Sequence, residues 1–168
     1  MKPENNFFEL PIPTRDGQFT ARYSQNGLAE LNFPNAKAFV APKRSEGGPV
    51  PSKIRAWYRA TETALKNILA GRKPKKLPPL DLAGTEFQKS VWSALRKISF
   101  GQTKSYGEIA RAIGKPKAVR AVGGACGANP IPVLVPCHRV LTANKKLGGF
   151  SGGLDWKRSL LKREGVET

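Results

Sequence analysis

A chain of 168 residues with 39% hydrophobic content can bury a core, which argues against a disordered protein and allows one ordinary domain or two small ones. Its net charge of +17, spread along both halves, calls for a polyanionic partner, of which nucleic acid is the commonest. Two cysteines and one histidine argue against a disulfide framework and a structural zinc site, so neither metal nor cofactor is expected.

The opening "MKPENNFFELPIP" lacks the apolar stretch of a signal peptide, and no apolar run approaches the roughly 20 residues that span a bilayer. A cytoplasmic protein, or a nuclear one where a nucleus exists, is expected, with no membrane partner. "GQFTARYSQNGLAELNFP" (17–34) predicts two strands around a Gln25-Asn26-Gly27 turn, because Phe19, Ala21 and Tyr23 alternate with polar neighbours. "APKRSEGGPVPS" (41–52) reads as a surface loop. Ser52 is placed as the cap of a helix through "KIRAWYRATETALKNILAG", with Ile54, Trp57, Tyr58, Leu65 and Leu69 as its core stripe and Gly71 as its stop. The Pro- and Lys-rich "GRKPKKLPPLDLAG" (71–84) is the linker, dividing the chain into 1–78 and 79–168.

The second half reads as mainly helical. Thr85 and Gln88 form a capping box for a helix whose inner face holds Phe87, Val91, Trp92, Leu95 and Ile98. Ser105 and Glu108 form a second, opening a short helix that Gly114 ends. Pro116 suits the first position of a third helix, "PKAVRAVGGACGAN", and a one- to two-residue turn between the last two makes a helix-turn-helix candidate. From Ala118 to Ala128 this helix is stripped of bulk, with Arg120 as its only long side chain. Each interior glycine costs about 0.5–1 kcal/mol relative to alanine, so Gly123 and Gly124 need a reason. Either they allow close packing on another helix, or they let the backbone enter a narrow groove with Arg120 as a probe.

"IPVLVPCHRVL" (131–141) places the sole histidine, His138, beside Cys137. A thiol is a weak nucleophile until deprotonated, and an adjacent imidazole is a base able to take its proton.

Taken together, "GTEFQKSVWSALRKISFGQTKSYGEIARAIGKPKAVRAVGGACGANPIPVLVPCHRV" and "GGFSGGLDWKRSLLKREG" resemble the O6-alkylguanine-DNA alkyltransferases, the methylated-DNA–protein-cysteine methyltransferases. The resemblance covers about residues 84–165. It implies an α+β protein: a small N-terminal antiparallel-sheet (RNase H-like) domain over 1–78, then a mainly helical, winged helix-turn-helix-like DNA-binding and catalytic domain over 79–168. It also implies single-turnover transfer of an alkyl group from O6-alkylguanine in DNA, and from O4-alkylthymine in some cases, to Cys137.

Within that resemblance His138 is the base, acting through a bridging water, Glu164 holds its far ring nitrogen, and Tyr106 supports the departing guanine at N3. Ser151 faces O6, the carbonyls of Cys137 and Val140 read the exocyclic amine, and Phe150 and Gly152 wall the pocket. Asn129 ties the recognition helix to the active-site turn. Arg120, Ala121, Gly123 and Ser105 contact double-stranded DNA in its minor groove, about 6 Å wide, with the damaged base flipped out. A monomer is expected.

The chain also departs from the pattern. Its N-terminal half has no zinc ligands, and Phe150 stands where many members have tyrosine. Gly152 is expected to leave the pocket mouth open to groups as large as benzyl. Competing readings are a non-catalytic binder of alkylated DNA, of the alkyltransferase-like type that lacks the cysteine, a helix-turn-helix transcription factor with Cys137 as sensor, and a thiol hydrolase.

Overall fold

A computed structural model describes residues 6–34 and 49–168, so most of the loop expected over 41–52 lies outside the described residues. The protein is α+β. Strands β1 (Phe8–Thr14), β2 (Gly17–Tyr23) and β3 (Leu28–Asn32) form an antiparallel sheet in that order. The turn at 24–27 falls where the Asn-Gly signal placed it, closed by Ser24 N donating to Gly27 O at 2.9 Å. Strand β1 was not expected, because Pro11 and Pro13 interrupt its pattern. It lies at the sheet edge, where a missing N–H breaks no ladder.

Helix α1 (Ser52–Leu69) buries Ile54, Ala64, Leu65, Ile68 and Leu69, while Trp57 and Tyr58 pack partly exposed beside the same core. Its start corrects the sequence reading. Pro51 occupies the cap position without a side-chain bond, and Ser52 is already the first helical residue. Gly71, with φ +73°, ends it as expected. The linker then turns back onto the sheet: Leu28 N donates to Pro79 O and Asp81 N to Leu28 O, both at 2.8 Å. A side chain at Gly27 would collide with the Pro79 carbonyl.

Helices α2 (Glu86–Leu95) and α3 (Tyr106–Ala112) begin with both expected capping boxes complete. Helix α4 spans Val119–Gly127. Two expectations fail here. Pro116 lies in a turn ahead of the helix, and the α3–α4 connection is a longer stretch, 113–118, with Ala118 as a cap lacking a side-chain bond. Trp92 Nε1 donates to Ala125 O at 2.9 Å, locking α2 to α4. A short parallel pair, β4 (Lys104–Ser105) with β5 (Val140–Leu141), and helix α5 (Leu154–Arg163) complete the chain. One apolar cluster runs from the sheet through α1 into the helical half. None of the described helices is long and apolar enough to cross a membrane.

Candidate active site

The segment between α4 and β5 is almost entirely buried, and its backbone is tightly bent. Val133 sits at φ +74°, which a β-branched residue adopts only when its surroundings impose it. Pro136 (φ −82°, ψ 64°) forms an inverse γ-turn in which Cys137 N donates to Val135 O at 2.8 Å. Cys137, His138 and Arg139 follow as a single 3-10 turn. The proline fixes the backbone just before the thiol.

Asn129 holds this turn from behind. Its Nδ2 donates to Val135 O at 2.8 Å and to Cys137 Sγ at 3.2 Å, while Oδ1 accepts from Ile131 N at 2.9 Å. Burial pushes the Cys137 thiol up. The Asn129 bond, the charge of Lys157 and the backbone N–H groups of Cys137 and His138 work in the opposite direction.

His138 is fully buried, with Nε2 2.8 Å from Glu164 Oε1 and Nδ1 making no hydrogen bond within the protein. Glu164 also receives Arg139 Nε (2.9 Å) and Nη2 (2.9 Å), and Gly101 N (3.1 Å). Burial alone would raise this carboxyl, but the bonds and charges of His138 and Arg139 overcome it and hold it at about 2. An ionised Glu164 can only accept, so Nε2 carries the ring proton and Nδ1 the lone pair. Burial keeps His138 below its ordinary value, against the pull of Glu164.

A cavity of about 500 Å³ opens onto Cys137, within the range of small-molecule sites. Tyr106, Arg120, Gly123, Phe150 and Ser151 line it together, along with Val119 and Cys126. Burial, then the neighbouring thiols of Cys126 and Cys137, raise the Tyr106 phenol to about 12, so it stays protonated. Gly123 and Gly124 are not required by packing. A Cβ at Gly123 would make only ordinary contact with the Tyr106 ring, and one at Gly124 would meet nothing within 4 Å. Close helix packing therefore does not explain these glycines.

Outside the cavity lining, Ser105 caps α3 and Ala121 is exposed on α4. The Val140 carbonyl accepts Lys157 Nζ at 2.7 Å. Gly152 corrects the expectation of an open mouth. A Cβ there would fall 2.5 Å from the Phe33 ring, so the position is filled from the residue that follows β3. Phe33 packs edge-on against Phe150 with ring centroids 5.7 Å apart, and against Trp156 at 5.0 Å.

Sequence reasoning gave no role to Arg139, Lys157 or Val119. Lys157 is fully buried, and its position was signalled: Lys157, Leu160, Leu161 and Glu164 follow the i, i+3, i+4, i+7 spacing of a buried helix face. Val119 is 41% exposed, an apolar side chain beside Arg120 on the outer face of α4.

Fold and site together define a thiol protein: a cysteine backed by a histidine–carboxylate pair, beneath a small-residue helix. The model for the "6-O-methylguanine DNA methyltransferase, DNA binding domain" matches residues 86–166. The methylated-DNA–protein-cysteine methyltransferase of Methanosarcina acetivorans is 44% identical over 158 residues, covering 94% of this chain and 96% of its own. That of Haemophilus influenzae is 53% identical over 160 residues, covering 92% and 84%. The crystal structure of Mycobacterium tuberculosis OGT in complex with DNA superposes with a TM-score of 0.71 at 39% identity, covering 92% of this chain and 90% of that one. The chain belongs to the methylated-DNA–protein-cysteine methyltransferase family.

Proposed function

We propose that the protein repairs O6-alkylguanine in double-stranded DNA by moving the alkyl group irreversibly to Cys137. The observation that carries this reading is Cys137 at the base of the cavity beside Arg120, with the His138–Glu164 pair behind it. Residues 79–168 carry the chemistry, and residues 1–78 support them.

Helix α4 enters the minor groove of DNA, Arg120 fills the gap left in the stack, and the damaged base rotates into the cavity. Unstacking costs a few kcal/mol, which backbone contacts must offset. His138 Nδ1 takes the Cys137 proton through a water. The thiolate sulfur then attacks the alkyl carbon, forming the S–C bond as the C–O6 bond breaks. The bonding pair stays with guanine O6, and Tyr106 donates to N3 as negative charge spreads over the ring. Glu164 stabilises the imidazolium formed. The thioether is stable, so each molecule acts once, as a cytoplasmic monomer and without cofactor.

Intact-mass measurement after mixing with a duplex carrying one O6-methylguanine tests this. The expected result is replacement of one hydrogen by one methyl, mapped to Cys137 and absent in Cys137→Ala. Tight binding without mass gain would favour a non-catalytic damage binder instead.

A further inference from the structure

The cavity around Cys137 has a single cationic lining residue, Arg120, in a chain of net charge +17. Most of the positive charge therefore lies elsewhere. A second depression, of about 490 Å³, runs between the linker and the end of α2. Lys73, Lys75 and Lys76 form one wall, and Arg96 and Lys97 the other. All five are exposed, and none is ion-paired among the described residues. No carboxylate lines the groove, and it shares no lining residue with the cavity at Cys137.

Arg139 closes its inner end. Three of the five guanidinium N–H groups are used, two on Glu164 and one on Ile98 O at 2.8 Å, which leaves two. The larger depression near the β1–β2 turn is different in kind. There Arg163 is already neutralised by Asp16, at 2.6 and 2.8 Å. The groove instead offers a row of point charges on flexible stems along two walls. A site for one small anion needs buried, converging donors. A row of exposed lysines matches a polymer of regularly spaced phosphates.

We propose that this groove binds the phosphodiester backbone of DNA, as a second contact separate from α4. The proposal rests on the repair reading above, and its test keeps the two apart. The groove variant is Lys75→Gln/Lys76→Gln/Lys97→Gln. An equal-charge control, Lys53→Gln/Arg55→Gln/Arg59→Gln, alters exposed positions on α1. Affinity for an undamaged duplex is measured against salt concentration for both and for the wild type.

At about 0.9 per phosphate contact, the log–log slope falls by about 2.7 in the groove variant and by less than about 1 in the control. Equal falls would reduce the effect to the general charge field and overturn the proposal. Tripolyphosphate titration provides the second arm. If the groove variant loses tripolyphosphate binding while its DNA slope is unchanged, the groove serves free polyphosphates and the DNA assignment is overturned. Alkylation of Cys137 by the free base O6-methylguanine is expected at the wild-type rate in both variants. Failure of wild-type protein to accept methyl from the damaged duplex would sink the repair reading, while the salt slope still decides the groove.

Discussion

His138 Nε2 and Glu164 Oε1 lie 2.8 Å apart with both side chains fully buried, and Arg139 grips the same carboxylate through two bonds of 2.9 Å. A base, its orienting acid and the cation that keeps the acid ionised thus form one unit with little access to solvent. In that setting removal of one member leaves the others uncompensated, which is costlier than the pair is stabilising.

Glu164→Gln is therefore expected to lower stability by about 3 kcal/mol, read by denaturant unfolding. It should also slow alkyl transfer at least tenfold, since the imidazolium loses its counter-charge. A variant of wild-type stability and rate would show that Arg139 and His138 do not depend on the carboxylate.

Acid should destabilise the protein in two stages. The folded-state pKa of His138 is depressed, so its contribution is present above its ordinary value of 6.5 and is lost as pH falls through the lower folded value. Glu164, held at about 2 against an ordinary 4.5, contributes above 4.5, and that contribution is lost between the two values. Cys137 is raised from 9.0, so folding holds the thiol neutral and stability falls as pH rises above that value. Melting temperature against pH measures all three. In Glu164→Gln the stage below pH 4.5 should flatten.

Asn129→Ala removes bonds to Val135 O, Ile131 N and Cys137 Sγ together. A loss of about 2 kcal/mol is expected, because buried backbone groups are left without partners. The thiol also loses a donor that favours its charged form, so the rate of Cys137 alkylation should shift to higher pH. An unchanged pH–rate profile with reduced stability would confine Asn129 to a structural role.

Arg120→Ala should slow transfer from duplex DNA while leaving reaction with the free base O6-methylguanine intact. Arg120 is exposed at the cavity rim and does not share the hydrogen bonds of Cys137, His138 and Glu164. Equal losses on both substrates would count against its role in opening the duplex.

Phe33→Ala empties the space between Phe19, Phe150 and Trp156. A cost of about 3–4 kcal/mol is expected from the cavity. Phe33→Leu should restore much of the stability. Transfer should follow the packing of Phe150 and Gly152 beside the cavity, falling in the alanine variant even at temperatures where circular dichroism shows it folded.

Local chemistry was the legible part of this sequence. Thr85/Gln88 and Ser105/Glu108 announced two helix starts because a capping box is complete within four residues. The segment around Cys137 and the later Glu164 could be joined only through the resemblance, since no local rule says that positions 26 apart share a hydrogen bond. Strand β1 was hidden by its prolines, whose tolerance depends on an edge position known only once the sheet exists. Arg139 and Lys157 were overlooked because composition assigns such residues to the surface. Their burial follows from partners supplied by other elements, Glu164 and the Val140 carbonyl. Gly152 was misjudged for the same reason, its neighbour Phe33 being more than a hundred positions away.

The Phe33 ring against Gly152 gives the N-terminal half a veto over how the pocket can change. Any side chain at position 152 must first displace an aromatic ring rooted in another part of the chain, because the nearest ring atom lies at 2.5 Å. Single substitutions that narrow the entrance therefore fall on other lining positions, such as the exposed Ser151. Variation in the range of accepted groups, whether by drift or by engineering, has to proceed through paired changes at 33 and 152 or bypass that corner altogether.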